Sequence, residues 1–450
     1  MNKITSEILK KSDTLCLAPW LSIHTWPNGN TYPCCTYDSL DPIGNVNENT
    51  LEEIWNNDRY TEIRAQMLNG VKPKGCSRCY KIEETNVKVN SYRQKINKDF
   101  IQHADLINHT QPDGYLEAFD LRLWDFRISN FCNLKCRSCG IELSSSWHSD
   151  SIELGYTNVP EKALISVTER KDFLSQIQPH YDKVEEIYFA GGEPLIMPEH
   201  YQMLDELIKT GNTSCRLRYS TNFTKLKFGK KSVIDYWKLF PNKQIFISLD
   251  GIGKTGEYVR KGLNTEQLYK NIHEYYESGL FIRDLNSETH NSRELYINSG
   301  LGIMVTYGTL NFLHLFDTIL DLHRNNIVSN CQGAPMRVWF SPIMYPLCYD
   351  AGRLPNNIKN QFFNRLNTFE SELEEQGIHP YVIEDTLEKL KEVYNTSTTR
   401  GYDEEEMQNL IEITKSLDKI RKESFEECLG QYYSSPKVFI DNSENLISKL

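Results

Sequence analysis

Nowhere in the 450 residues is there an uninterrupted apolar run near the roughly 18 that a membrane-spanning helix needs, so no such span is expected. The amino-terminal MNKITSEILKKSD has no apolar core and no small-residue cleavage site, and no secretory leader is read there. Excess positive charge is also missing: 50 Lys and Arg face 61 Asp and Glu, a net charge of −11. Without a basic field to draw a phosphate backbone, nucleic acid is not an expected partner. What is present is ordinary for a globular chain, 39% hydrophobic and 25% charged, with length for two or three domains. Cysteine is the exception. Twelve cysteines without an export signal read as metal ligands and free thiols rather than disulfides, and the expected compartment is the reducing cytosol.

The cysteines are grouped. In FCNLKCRSCG, Phe131–Gly140, Cys132, Cys136 and Cys139 follow the apolar, strand-like run Leu121–Ile128. Three thiolates from one short loop can hold a four-iron cubane while leaving one iron open to a non-protein ligand. The competing reading is zinc, whose closed structural sites take a fourth ligand. His148 is the nearest candidate, at a spacing that fits no common zinc pattern.

A second group lies near the amino terminus. Cys16 opens CLAPWLSIHTWPNGNTYPCC, in which Pro27–Gly29 marks a hairpin turn, and Cys34 and Cys35 close the second extended piece. Leu51–Met67 has a helical pattern, with Thr50 and Glu53 as a capping box. Cys76 and Cys79 then form a CxxC on a turn. Hairpin cysteines plus a distant CxxC supply four ligands, which suits either a closed zinc site or a fully ligated cubane. Residues 80–118 read as a helix and a polar linker ending in the turn QPDG.

From about residue 119, strand-like segments (Leu121–Ile128, Glu186–Ala190, Cys215–Ser220, Gln244–Leu249, Tyr296–Val305, Met336–Phe340) alternate with helical ones such as Pro198–Lys209, Thr265–Ser278 and Asn311–Asn325. That alternation predicts an α/β fold with a parallel sheet, whose ligands gather at the carboxyl ends of strands. Gly191-Gly192-Glu193-Pro194 follows one such strand; its glycines let backbone approach a ligand, and Glu193 or nearby carbonyls can receive an ammonium. Ser220 and Asn222 end another strand, Ser248 and Asp250 a third; their short polar side chains suit ribose hydroxyls and an amino-acid carboxylate. Taken singly, each of these is equally a turn or cap residue. Cys215, Cys331 and Cys348 are isolated and read as buried thiols, with hydrogen donation to a substrate as the other use. Past residue 346 the chain becomes charged amphipathic helices, with Asp403–Glu406 as an acidic first turn and no recognisable chemistry.

CxxxCxxC after the first strand, followed in order by GGEP and the polar strand ends, resembles the radical S-adenosylmethionine (SAM) superfamily over roughly residues 120–345. The resemblance implies a partial (β/α)6 TIM-like barrel. It also implies SAM on a 4Fe–4S cluster held by Cys132, Cys136 and Cys139, with Gly191–Pro194 at the SAM amino group. Ser220, Asn222, Ser248 and Asp250 would surround the ribose and methionine moieties. Arg260 matches either an arginine on the SAM carboxylate or half of an Asp–Arg structural pair. The residue before the third cysteine is Ser138 where the family often has an aromatic, which leaves Phe131 and Tyr188 as candidates to stack on adenine.

Gly29-x4-Cys34, GNVNENTLEEIWNNDRYTEIR and Cys76xxCys79 resemble the twitch or SPASM auxiliary-cluster modules of the same enzymes. Carried over, the ligands of an auxiliary 4Fe–4S cluster are Cys16, Cys34, Cys76 and Cys79, with Cys34 preferred to Cys35 because it fits the glycine spacing. Here the module precedes the barrel rather than following it. No further cysteine string comes after Cys79, so one auxiliary cluster is expected.

The organisation read in this way is a cysteine-rich module with linker at 1–110, a core barrel at 119–345 and a helical extension at 346–450. The activity implied is reductive SAM cleavage to a 5′-deoxyadenosyl radical, hydrogen abstraction from a peptide or protein side chain, and oxidation through the auxiliary cluster. The donor would be a flavodoxin or ferredoxin. The alternatives are dehydrogenation of a small carbohydrate-like molecule, a non-catalytic iron–sulfur or zinc scaffold, and RNA modification, which lacks a basic groove.

Overall fold

The computed structural model describes residues 4–84, 91–169, 172–280, 301–328 and 337–440. The fold is α/β with a mostly parallel sheet, and no closed barrel is formed among the described residues. In chain order the strands are β1 (Ser22–Thr25), β2 (Asn30–Tyr32), β3 (Gly44–Asn45), β4 (Leu123–Phe126) and β5 (Lys135–Cys136). Next come β6 (Glu186–Phe189), β7 (Arg216–Thr221), β8 (Lys227–Phe228), β9 (Lys231–Ser232) and β10 (Lys243–Ser248). Finally there are β11 (Arg260–Lys261), β12 (Leu301–Tyr307) and β13 (Val338–Pro342). Tyr296 and Met336, the expected first residues of the last two strands, and Cys331 lie outside the described residues.

The chain forms two compact units. One comprises Met1–Phe131, Leu164–Tyr219 and Leu239–Pro241; the other comprises Cys132–Ala163, Ser220–Lys238 and Asn242–Leu450. In the first, the PNG turn produces the expected hairpin: Gly29, at φ +89°, donates to Trp26 O at 2.9 Å and lets β2 run back along β1. β1 then pairs in parallel with β4, Ser22 opposite Leu123 and Thr25 opposite Phe126. β4 pairs with β6, and β6 with β7, again in parallel.

The Leu51–Met67 pattern gives two helices rather than one, Leu51–Trp55 and Asp58–Leu68. The break has a local cause. Asn57 turns into an extended conformation and its side chain accepts from Tyr60 N at 2.9 Å, so it caps a new helix instead of continuing the old one. The Thr50–Glu53 capping box is formed as expected. Arg64 from the second helix is fully buried between the Trp55 and Tyr60 rings, at 4.5 and 4.7 Å. It donates to Pro19 O at 2.8 Å, Trp55 O at 2.9 Å and Gly114 O at 3.4 Å, and burial lowers its pKa to about 10. A single guanidinium thereby ties together two short helices and the Gly114 turn through their carbonyls.

In the second unit β10, β12 and β13 are parallel neighbours, each followed or covered by amphipathic helices such as Thr265–Glu277 and Leu315–Arg324. The carboxy-terminal region forms the helices Asn356–Glu375, Pro380–Thr398 and Glu404–Arg421. Asp403 is the cap of the last, accepting from Glu406 N at 3.2 Å, which places the acidic run at the positive end of the helix dipole. Among the described residues no helix is long and apolar enough to cross a membrane.

Candidate functional site

In the first unit, long-range hydrogen bonds bring the separated cysteine segments together. Cys16 is set by its neighbours: Leu15 O accepts from Arg93 Nη1 at 2.8 Å and Asn97 Nδ2 at 2.9 Å, and Leu17 N donates to Asn97 Oδ1 at 2.9 Å. Cys76 ends a 3-10 turn, and Cys79 lies in the helix Ser77–Glu84 rather than on a turn. That segment docks on the Cys34 loop through Asp38 N to Gly75 O, 3.0 Å. A Cβ at Gly75 would sit 2.1 Å from the Tyr37 ring, which would have to shift to admit it. The Thr36 hydroxyl lies between Cys34 Sγ at 3.3 Å and Cys79 Sγ at 3.6 Å.

Electrostatics sort the same thiols. Burial pushes Cys16 and Cys34 up to about 12 and Cys76 higher still; Cys79 acts on Cys16, Cys16 and Cys79 act on Cys34, and Cys34, Cys16 and Cys79 act on Cys76. Cys35 is raised by burial too, but its other neighbours are Asp125, Arg127 and Arg218 besides Cys34. Four thiols therefore share one buried field and Cys35 faces another. Among the described residues no three His, Cys, Asp or Glu side chains close to single-ion geometry. Ligands around a multi-iron cluster stand farther apart than ligands around one ion, so the shared field and the Thr36 bridge are the features that fit such a cluster.

Within the same unit, Gly191 and Gly192 have φ of +81° and +54°. A Cβ on Gly192 would meet Phe131 O at 2.4 Å, so only glycine allows that close backbone approach. Glu193 is buried; its carboxylate accepts from Leu195 N at 3.1 Å and its N–H donates to Phe131 O at 2.8 Å, while Pro194 opens a short 3-10 turn. Tyr188 lies between the guanidinium groups of Arg127 and Arg218, at 4.7 and 4.4 Å. Cys215 is buried in this unit, and Cys348 in the other.

The second unit holds Cys132, Cys136 and Cys139. The loop is turned by Cys139 N to Cys136 O at 3.1 Å, and β5 within it pairs antiparallel with β11, Cys136 opposite Arg260. The segment Ser144–Trp147 caps its carbonyls: Ser146 Oγ reaches Cys132 O at 2.7 Å, Ser144 Oγ reaches Leu134 O at 2.6 Å, and Trp147 Nε1 reaches Cys136 O at 2.8 Å. His148 bonds Pro160 O at 2.9 Å through Nε2.

The neighbouring Cys139 thiol and the Arg260 cation bring Cys136 down to about 7, whereas the Cys136 neighbour and burial push Cys139 up. Cys132 acts electrostatically on Cys139, and Leu134 N donates to Cys132 Sγ at 3.4 Å.

At the strand ends, Asp250 is buried and committed on all sides. Its Oδ2 takes Arg260 Nη1 at 2.7 Å and its Oδ1 takes Thr306 N at 2.8 Å, while Asn311 Nδ2 donates to its carbonyl at 2.6 Å. Arg260 is thus paired with Asp250, the second of the two roles read for it. Asn222 is buried, donates to Asn133 Oδ1 at 2.9 Å and lies 4.0 Å from Cys132 Sγ; Thr224 completes that network. Ser220 and Ser248 are half-buried on β7 and β10. The Ser144–Trp147 caps escaped the sequence reading, although a run of three serines and a tryptophan just past a cysteine loop is a usable signal for one.

Residues 16–80 match SPASM, an iron–sulfur cluster-binding domain, and residues 126–285 match the Radical SAM superfamily. Iron–sulfur rather than zinc is therefore the chemistry of the amino-terminal cysteines' domain. No curated protein matches the chain. Similar solved structures include anSMEcpe with bound AdoMet, at 14% identity and a TM-score of 0.35 over 56% of this chain and 59% of that one. Another is native anSMEcpe with AdoMet and a Cp18Cys peptide, at 12% identity and 0.33 over 56% and 61%. A third is Streptococcus suis SuiB bound to precursor peptide SuiA, at 14% and 0.32 over 81% and 64%. The chain thus spans about three fifths of each structure's length, and at that identity and TM-score the likeness bears on neither substrate nor mechanism.

Proposed function

We propose that this chain, a radical SAM superfamily protein carrying a SPASM iron–sulfur domain, cleaves SAM reductively and uses the radical to modify a peptide or protein side chain. The observation that carries the reading is the short loop that holds Cys132, Cys136 and Cys139, turned by Cys139 N to Cys136 O at 3.1 Å and capped on three carbonyls by Ser144, Ser146 and Trp147. Three ligands from one loop fit a cubane with an open iron. Bound there, a 4Fe–4S cluster with SAM supplies the electron and the 5′-deoxyadenosyl radical that takes hydrogen from the substrate.

The chain's own residues do the rest. The Ser144–Trp147 caps fix the backbone from which the ligands project. Asn133 and Asn222 hold the first cysteine's flank. The Asp250–Arg260 pair keeps one cation beside Cys136, which favours the thiolate needed for ligation. Gly191–Pro194, Ser220, Asn222, Ser248 and Asp250 are assigned to SAM by the family resemblance.

Cys16, Cys34, Cys76 and Cys79 are proposed as the ligands of one auxiliary cluster. With all four positions taken by protein, such a cluster would supply an acceptor for the electron left on the substrate, and a flavodoxin or ferredoxin is the proposed donor. The peptide substrate rests on the resemblance to twitch and SPASM enzymes alone.

The test is iron, sulfide and zinc content after anaerobic reconstitution, with EPR and 5′-deoxyadenosine formation under dithionite. Wild type is compared with a Cys132/Cys136/Cys139→Ala triple variant. The expectation is about eight irons falling to about four, with SAM cleavage lost and a residual signal indifferent to SAM. Fully loaded wild type that leaves SAM intact would instead mean a non-catalytic scaffold.

A further inference from the structure

The carboxy-terminal region shows no chemistry in its sequence, yet the end of the helix Glu404–Arg421 is bonded to the cysteine loop itself. Arg137 lies between Cys136 and Cys139, and its side chain is fully buried. Its N–H donates to Val259 O at 2.8 Å and its Nε to Tyr258 O at 3.0 Å, with the guanidinium 3.6 Å over the Tyr258 ring. Nη2 is shared by Asp418 Oδ1 at 2.5 Å and Glu423 Oε2 at 2.8 Å. Both carboxylates have second attachments: Asp418 accepts from Tyr258 OH at 2.8 Å and Phe425 N at 2.9 Å, and Glu423 takes Lys261 Nζ at 3.1 Å.

A second grip runs through Asp150, which takes Lys135 Nζ and Arg421 Nε, each at 2.7 Å. The Arg421 guanidinium lies 4.6 Å over Trp147, the ring whose N–H caps Cys136 O. Apolar packing completes it: Leu417 and Ile413 join Ile141, Trp147, Leu154 and Cys139 in one cluster.

A helix that merely covered surface would make exposed ion pairs, which contribute little. Here Arg137, Arg421 and Asp150 are buried, where a charge that loses its partner is strongly disfavoured. Two salt-bridge sets and one apolar cluster all end on Lys135–Cys139 or on the ring that caps it.

Resting on the cluster reading above, we propose that the end of the helix Glu404–Arg421 is a brace for the cluster loop. Asp418 and Glu423, through Arg137, and Arg421, through Asp150, are positioning residues that hold Cys136 and Cys139 in ligating geometry. Ligands of a metal depend on such outer partners for orientation.

The test is an Asp418→Asn/Glu423→Gln variant of the full chain, which keeps the shapes and the acceptor oxygens but removes the charges. After anaerobic reconstitution, iron release to a ferrous chelator is timed and EPR of the reduced protein is recorded with and without SAM. The control is Asp385→Asn, which breaks the Asp385–Lys389 ion pair on the helix Pro380–Thr398. The expectation is that about half the iron leaves roughly tenfold faster or more, with a weakened EPR response to SAM and the control unchanged. Wild-type release together with a wild-type SAM response would overturn the brace. If the double variant does not fold, Arg421→Met, which cuts only the second grip, is read by the same assay with the same two outcomes. A Cys132/Cys136/Cys139→Ala variant that keeps all its iron strikes the cluster reading itself. One that loses half, beside an unaffected double variant, strikes only the brace.

Discussion

The two cysteine groups gather buried thiols by opposite means. In the amino-terminal group the thiols come from three separated segments, each with its own long-range anchor: Arg93 and Asn97 at Cys16, Thr36 at Cys34 and Cys79, and the Tyr37–Gly75 contact at Cys76. In the other group three cysteines share one short loop, and that loop is fixed as a unit by carbonyl caps. Their charge environments differ as well. Burial dominates Cys16 and Cys34 and raises them to about 12, whereas the adjoining Cys139 thiol and the nearby Arg260 bring Cys136 to about 7. A dispersed site is therefore only as sound as each tertiary anchor, while a local one depends on what fixes its loop.

The sharpest way to break that comparison is Cys34→Ala against Cys35→Ala. The first is expected to remove the amino-terminal cluster, about four irons of about eight, and to leave SAM cleavage intact. The second is expected to keep all the iron, because Cys35 faces Asp125, Arg127 and Arg218. Iron loss from the Cys35 variant alone would reverse the ligand assignment. Next in size is Asp250→Asn, which leaves Arg260 buried beside a neutral partner. The expected cost is about 3–5 kcal/mol in urea denaturation, and a loss under about 1 kcal/mol would show that the pair is not a buried support. Smallest is Gly75→Ala, an overpacking change expected to cost about 1–3 kcal/mol and to loosen only the amino-terminal iron. In a Tyr37→Ala background the same change should be nearly neutral; an equal loss in both backgrounds would place the strain elsewhere.

Much of this was legible in local sequence. The turn at Pro27–Gly29, the Thr50–Glu53 capping box, the helix Pro198–Lys209 and the glycines before Glu193 each follow from residues close in sequence. The break at Asn57 was also local, but an apolar stripe continuing on both sides hid it behind a helical period. What local pattern could not show is partnership at a distance. Nothing near Arg137 announces Asp418 and Glu423, 281 and 286 residues on, and a buried arginine inside a metal loop looks like any solvated charge until its partners are placed. Likewise Arg64 looked like one letter of a motif, and only the carbonyls of Pro19, Trp55 and Gly114 explain why it must be arginine.

The parallel pairing of β1 with β4 bears on the order in which the protein is made. Ser22–Thr25 can close its hairpin with β2 as soon as both strands have left the ribosome, but its other edge has no partner until residues 123–126 follow. Those hundred or so residues take about 5–20 s to synthesise at ordinary elongation rates. Throughout that interval the nascent chain presents a row of open backbone donors and acceptors, flanked by Trp20 and Ile23, which are wholly buried in the finished fold. Docking of Leu123–Phe126 closes that edge and opens the next, which waits in turn for Glu186–Phe189, so the open edge moves along the sheet as synthesis proceeds.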